Sequence, residues 1–66
     1  MTITVNEKSE SLEESITIDT MIEYYGFDPR KIAVVLNKEI VIKSMYPNVS
    51  LGDGDIIEVI TFVGGG

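Results

Sequence analysis

The sequence closes on Phe62-Val63-Gly64-Gly65-Gly66, an apolar run that passes into three consecutive glycines. Glycine lacks a Cβ and loses more conformational freedom on ordering than any other residue, so three in a row build no element and fill no core. Whatever the chain folds into must be assembled from the residues before them. Extended, the three span roughly 10 Å, at about 3.3–3.6 Å per residue. A stem of that kind can pass through a channel too narrow for side chains and present a carboxylate to another protein's active site. The plainer alternative is a frayed end without function.

Sixty-six residues make one small domain, a size that buries only about 60% of the unfolded chain's surface and leaves little room for a deep, preorganised pocket. There is no cysteine and no histidine. A disulfide framework and a thiolate metal site are therefore ruled out, and the usual general base near neutral pH is missing. An enzyme acting alone is not expected. The lack of cysteine fits a cytoplasmic protein. Met1-Thr2-Ile3-Thr4-Val5-Asn6 has no basic segment followed by an apolar run, so no signal peptide is expected. No apolar stretch approaches the ~18–20 residues needed to cross a bilayer, and no membrane association is expected. Eleven acidic residues against five basic ones give a net charge of −6. That argues against nucleic acid, whose phosphates require a basic surface, and suits steered docking onto basic partners. Solubility alone would also account for it.

Thr2-Ile3-Thr4-Val5 alternates polar and apolar, the period of a half-buried strand with Ile3 and Val5 inward. Asn6-Glu7-Lys8-Ser9 reads as a turn, and residues 10–15 as a short antiparallel return with Leu12 inward. Thr17 is placed to cap a helix, with Asp19 in the first turn where a negative charge suits the dipole. Ile18, Met21, Ile22 and Tyr25 fall at i, i+3, i+4 and i+7, one helical face. Gly26 supplies the left-handed residue that ends it, and Asp28-Pro29 prevents continuation. Ile32-Ala33-Val34-Val35-Leu36 is a β-branched run of the kind found in strands buried on both sides or nearly so. Asn37-Lys38-Glu39 turns it into a short strand, Ile40-Val41-Ile42. Residues 44–50 contain Pro47 and Asn48 and read as irregular, anchored by Met45, Tyr46 and Val49. Asp53-Gly54-Asp55 is a tight turn, and residues 56–63 form the longest strand.

Glu58 must face water, so by period two Ile56, Ile60 and Phe62 share its side while Ile57 and Val59 enter the core. Ile60 and Phe62 are thereby left exposed beside the glycines. No spare element remains to cover them, and clustered exposed apolar side chains mark contact surfaces. The parity of Val63 leaves two readings open: it lines the same surface, or it seats against the fold. The order strand, strand, helix, strand, short strand, long strand gives an α+β domain: a mixed sheet of four to five strands with one main helix packed on one face. Residues 1–63 form that single domain and 64–66 a flexible glycine tail.

Leu36-Asn37-Lys38-Glu39-Ile40-Val41, Leu51-Gly52-Asp53-Gly54-Asp55-Ile56-Ile57-Glu58 and Phe62-Val63-Gly64-Gly65-Gly66, set in that order of elements, resemble the ThiS sulfur carrier family of the ubiquitin-like β-grasp fold. The likeness spans essentially the whole chain. The Asp-Gly-Asp turn is shared with the molybdopterin synthase small subunit, but that subunit is generally longer and carries a proline-containing segment before its glycines that is missing here. Ile42-Lys43 departs slightly from the usual basic or proline residue after the second turn. The resemblance implies an E1-like adenylating enzyme of the ThiF type, which uses ATP to adenylate the carboxylate of Gly66. A donor such as a cysteine desulfurase system then supplies persulfidic sulfur, leaving a C-terminal thiocarboxylate that a ThiG-type thiazole synthase consumes. Gly64 and Gly65 would form the stem, and Ile60, Phe62 and Val63 the partner-binding surface. The chain would bind no cofactor itself and would be a monomer when free.

Residue chemistry runs parallel to this. Without cysteine the chain cannot hold sulfur as a persulfide, which leaves the carboxyl of Gly66 as the candidate attachment point. A carboxylate is a poor electrophile, and the chain has no glycine-rich phosphate loop with a lysine to bind ATP; activation must come from outside. Other signals are weaker. Asp53-Gly54-Asp55 as half of a calcium loop would need a bidentate acid at its twelfth position, which is Gly64. Glu10, Glu13, Glu14 and Asp19 read as a solvated acidic edge rather than a metal cluster. Tyr24, Tyr25 and Phe27 suit packing better than base stacking at this net charge, and no lysine stands out as a modification site. Two alternatives remain: a related carrier or modifier serving molybdopterin synthesis, tRNA thiolation or protein conjugation, and a β-grasp interaction module with an inert tail.

Overall fold

In the computed structural model, which describes residues 1–62, the strands are β1 (Thr2–Val5), β2 (Lys8–Ser11), β3 (Ile32–Leu36), β4 (Glu39–Val41) and β5 (Ile56–Thr61). Helix α1 (Ile18–Tyr25) lies between β2 and β3, and a 3₁₀ helix over Lys43–Asn48 precedes β5. The strands form one five-stranded sheet in the order β2-β1-β5-β3-β4. β1 runs parallel to β5, with Thr4 opposite Ile56 and Val5 opposite Ile57; the other neighbours are antiparallel. The expected α+β arrangement is therefore present, with five strands. The expected boundary between residues 1–63 and 64–66 lies outside the described residues.

α1 is specified locally. The Thr17 hydroxyl oxygen accepts from the Thr20 amide at 3.2 Å, which satisfies one of the free amides of the first turn. Gly26, at φ 76°, reverses the chain so that its amide and that of Phe27 close onto the Glu23 and Ile22 carbonyls. Ile18, Met21 and Ile22 are buried against Ile3, Val34, Leu51 and Ile57, while Tyr25 packs half-buried at the margin. Eight residues are too few for a helix to hold by itself. Tertiary hydrogen bonds at its entrance supply support: the Ile18 amide to the Val49 carbonyl at 2.9 Å and the Leu51 amide to the Ile16 carbonyl at 2.8 Å.

Four expectations are corrected. The first hairpin turns on two residues, Asn6 and Glu7, both with positive φ (49° and 68°), so β2 begins at Lys8 and Leu12 sits half-buried just past its end. Asn37 and Lys38 (49° and 73°) repeat the device before β4, which starts at Glu39. This is the mirror-image turn whose twist suits a hairpin, achieved without glycine because asparagine enters the left-handed region readily. Second, β3 is buried on one side only: Ile32 and Val34 are buried, Ala33 and Val35 half-buried. Among the described residues α1 and the 3₁₀ helix lie on a single face of the sheet. Third, residues 43–48 form a helical turn around Pro47 that buries Tyr46, and its neighbour Met45, a third of a turn away, is exposed. Fourth, β5 ends at Thr61.

Candidate functional site

β5 is the central strand, and the asparagines of the two hairpin turns hold its first four residues. The Asn6 carboxamide oxygen accepts from the Val59 amide at 2.7 Å, and that of Asn37 accepts from the Ile56 amide at 2.9 Å. The Asn37 side-chain nitrogen donates to Asp55 at 3.0 Å. Thus the asparagine of each hairpin turn, placed there for its backbone conformation, also clamps β5 from one side. Asp53 accepts from the Thr2 amide at 2.7 Å, and the Gly54 amide donates to the Thr2 carbonyl, tying the Asp-Gly-Asp turn to β1. At the far end, the Phe62 amide donates to the Lys31 carbonyl at 2.8 Å. The sequence leading into the glycines therefore starts from a strand held on both flanks. Val63, Gly64, Gly65 and Gly66 lie outside the described residues.

Pairing register decides what shares the face opposite α1. On β5, Glu58 stands opposite Val35 and Ile60 opposite Ala33; Val35 in turn stands opposite Ile40. Residues directly opposite lie on one face, so Ile40, Val35, Ala33 and Ile60 form a continuous apolar area around Glu58. Alternation adds Ile42, Ile56 and Phe62. Ile60 is 48% and Phe62 55% exposed, as sequence parity predicts, and Ile40 (76%), Ile42 (69%) and Ile56 (52%) join them. The last three were not singled out from sequence. Parity with Glu58 placed Ile56 on this side, but Ile40-Val41-Ile42 has no polar residue to reveal which members face out; only the register with Val35 does so. The β1–β2 half of the same face carries Thr2, Thr4, Ser9 and Ser11.

The described part of this surface is apolar side chains set around a single carboxylate, Glu58. Among the described residues, no group of three or more His, Cys, Asp or Glu side chains could hold a metal ion, and no polar or charged residue is buried. The one ion pair among them is Arg30–Asp28 at 3.1 Å. The Arg30 guanidinium's hydrogen bond to the Asp28 carboxylate, seconded by the Arg30 backbone amide, lowers that carboxyl to about 2. No described helix is long and apolar enough to cross a membrane.

Comparison with known proteins agrees with this geometry. The ThiS family model matches residues 1–66. Thiazole synthase of Paramagnetospirillum magneticum is 39% identical over 66 residues, covering 100% of this chain but 20% of that protein; the chain thus spans a fifth of the length of that relative. The sulfur carrier protein ThiS of Bacillus subtilis is 42% identical over 50 residues, 76% of each chain. The crystal structure of the thiamine biosynthesis protein ThiS from Geobacter metallireducens superposes with a TM-score of 0.88 at 28% identity, covering 100% of both chains.

Proposed function

This chain belongs to the ThiS family, and from that premise we propose that it is the sulfur carrier of thiamin thiazole synthesis, a co-substrate rather than a catalyst, working in the cytoplasm. Gly66 is the site of chemistry. Its carboxylate attacks the α-phosphorus of ATP on an E1-like adenylating enzyme of the ThiF type and releases pyrophosphate. The outer sulfur of a persulfide carried by a cysteine desulfurase system then attacks the acyl carbon and expels AMP; a thiol reductant cleaves the resulting acyl disulfide, leaving the thiocarboxylate and a new disulfide on the donor side. A ThiG-type thiazole synthase takes that sulfur into its product and returns the carboxylate. ATP is bound by the partner, and this chain needs no cofactor of its own.

The reading is supported above all by the coincidence of a whole-chain family match with an uncovered apolar half-sheet bordering the strand that leads to the glycines. Ile60 and Phe62, and Val63 next in sequence, would seat the carrier while Gly64 and Gly65 thread the channel. A Cβ there would add bulk where a channel closes on the backbone. Similarity to thiazole synthases along this whole chain favours the thiazole pathway over molybdopterin synthesis, tRNA thiolation or protein conjugation.

Intact mass spectrometry tests it. After incubation with ATP, the activating enzyme and a sulfur source, the chain should gain the mass difference of one sulfur replacing one oxygen. A chain whose C-terminal carboxyl is blocked as the amide should gain nothing. An unchanged mass in the full chain, with the enzyme demonstrably active on a known carrier, would refute the proposal.

A further inference from the structure

We propose that a depression on the exposed sheet face, walled by Glu7 and Glu58, seats an arginine side chain projected by the activating enzyme that docks there; this rests on the docking reading above. The depression encloses about 390 Å³ and is lined by Thr4, Asn6, Glu7, Ile56 and Glu58. Two of its five side chains are carboxylates and none is a cation. The Asn6 carboxamide oxygen is committed to the Val59 amide, so the carboxylates are the strongest acceptors left for a ligand. Glu7 is held at the rim by its turn, whose left-handed backbone (φ 68°) is anchored through Asn6. Ile56, half exposed and directly opposite Thr4, supplies an apolar wall.

Position gives the depression its meaning. Glu58 lies between Ile56 and Ile60 on β5 and opposite Val35, so an apolar partner that covers Ile60 and Phe62 also strips water from Glu58. A carboxylate desolvated without a partner is costly. Docking on this face therefore selects a partner that brings a cation to this spot. Guanidinium suits it better than ammonium: it is planar, weakly hydrated, able to lie along an apolar wall and able to engage two carboxylates at once. The competing role for Glu58, keeping an apolar sheet face from self-association, requires no such cation.

The test is the affinity of the chain for its cognate E1-like activating enzyme, measured by calorimetry at low and physiological salt. Glu58→Gln should weaken binding about 30-fold and flatten its salt dependence. Glu7→Gln should weaken it several-fold, and methylguanidinium should compete better than methylammonium at equal ionic strength. Thermal unfolding of both variants should match the wild type, since both side chains are exposed. Phe62→Asp serves as the separate control on docking itself. If Phe62→Asp abolishes binding while Glu58→Gln stays within about twofold of wild type, the arginine seat is wrong and the docking surface stands. If Glu58→Gln weakens binding without altering the salt dependence, a neutral contact rather than a cation is involved, and the inference also fails. If neither substitution matters, the inference falls together with the docking surface.

Discussion

The two halves of the exposed sheet face share a backbone plane and a solvent boundary, yet differ in chemistry. Over β1 and β2 the outward residues are Thr2, Thr4, Ser9 and Ser11; over β3, β4 and β5 they are Ala33, Val35, Ile40, Ile60 and Phe62 around Glu58. Folding alone would tolerate threonine and serine throughout, as the first half demonstrates. The isoleucines and the phenylalanine are therefore not required by the fold, and contiguous exposed apolar area of this kind is a mark of contact surfaces. The apolar half is also the one that borders the route to Gly64–Gly66.

The sharpest test of that contrast uses adjacent residues on one strand. Ile57 is fully buried and Ile56 about half exposed. Ile57→Ala should cost about 2–5 kcal/mol of stability through lost burial and a residual cavity, whereas Ile56→Ala should stay within about 0.5 kcal/mol of wild type; denaturant unfolding of the two variants reads this. Next in size is a matched pair on the exposed face. Ile40→Asp should weaken binding to the activating enzyme about tenfold, and Ser11→Asp should leave it unchanged. Equal effects would erase the distinction between the halves.

Smaller effects concern how the face is held in place. Asn37→Ala removes the acceptor for the Ile56 amide and puts alanine at φ 49°, which should cost about 1–2 kcal/mol in chemical denaturation. Lys38→Gly, at φ 73°, should instead stabilise by up to about 1 kcal/mol. The smallest effect lies at the loop entering β3. Because Asp28 is lowered to about 2 from an ordinary 3.8, its contribution is complete above the ordinary value and is lost as pH falls toward 2. Asp28→Asn should abolish that part of the acid dependence, and salt should screen it, since the pair is exposed.

Much of this was legible in the sequence, for identifiable reasons. α1 could be bounded because Thr17 and Gly26 act within one turn of its ends, and the two faces of β5 could be assigned because Glu58 breaks an otherwise apolar run. Ile60 and Phe62 followed from that parity. The two-residue length of the hairpin turns is not legible because Glu7 and Lys38, unlike glycine, give no sign of a left-handed backbone. The helical turn around Pro47 is not legible because proline, lacking an amide donor and crowding the preceding turn, reads as a break, whereas a 3₁₀ segment this short tolerates it near its end. Ile40 and Ile42 escaped because the outward members of Ile40-Val41-Ile42 are chosen by pairing with β3, a non-local fact. The same limit applies to the open side of β3, which depends on what the rest of the chain leaves uncovered.

The central claim, that the apolar half of the sheet seats the carrier while Gly66 supplies the reacting group, separates docking from chemistry. ATP–pyrophosphate exchange by the activating enzyme, followed as a function of carrier concentration, measures both at once. The account predicts that Phe62→Asp raises the half-saturating concentration about 100-fold while leaving the maximal exchange rate close to wild type. An unchanged half-saturation point would contradict it, because Phe62 would then stand outside the surface that the enzyme recognises.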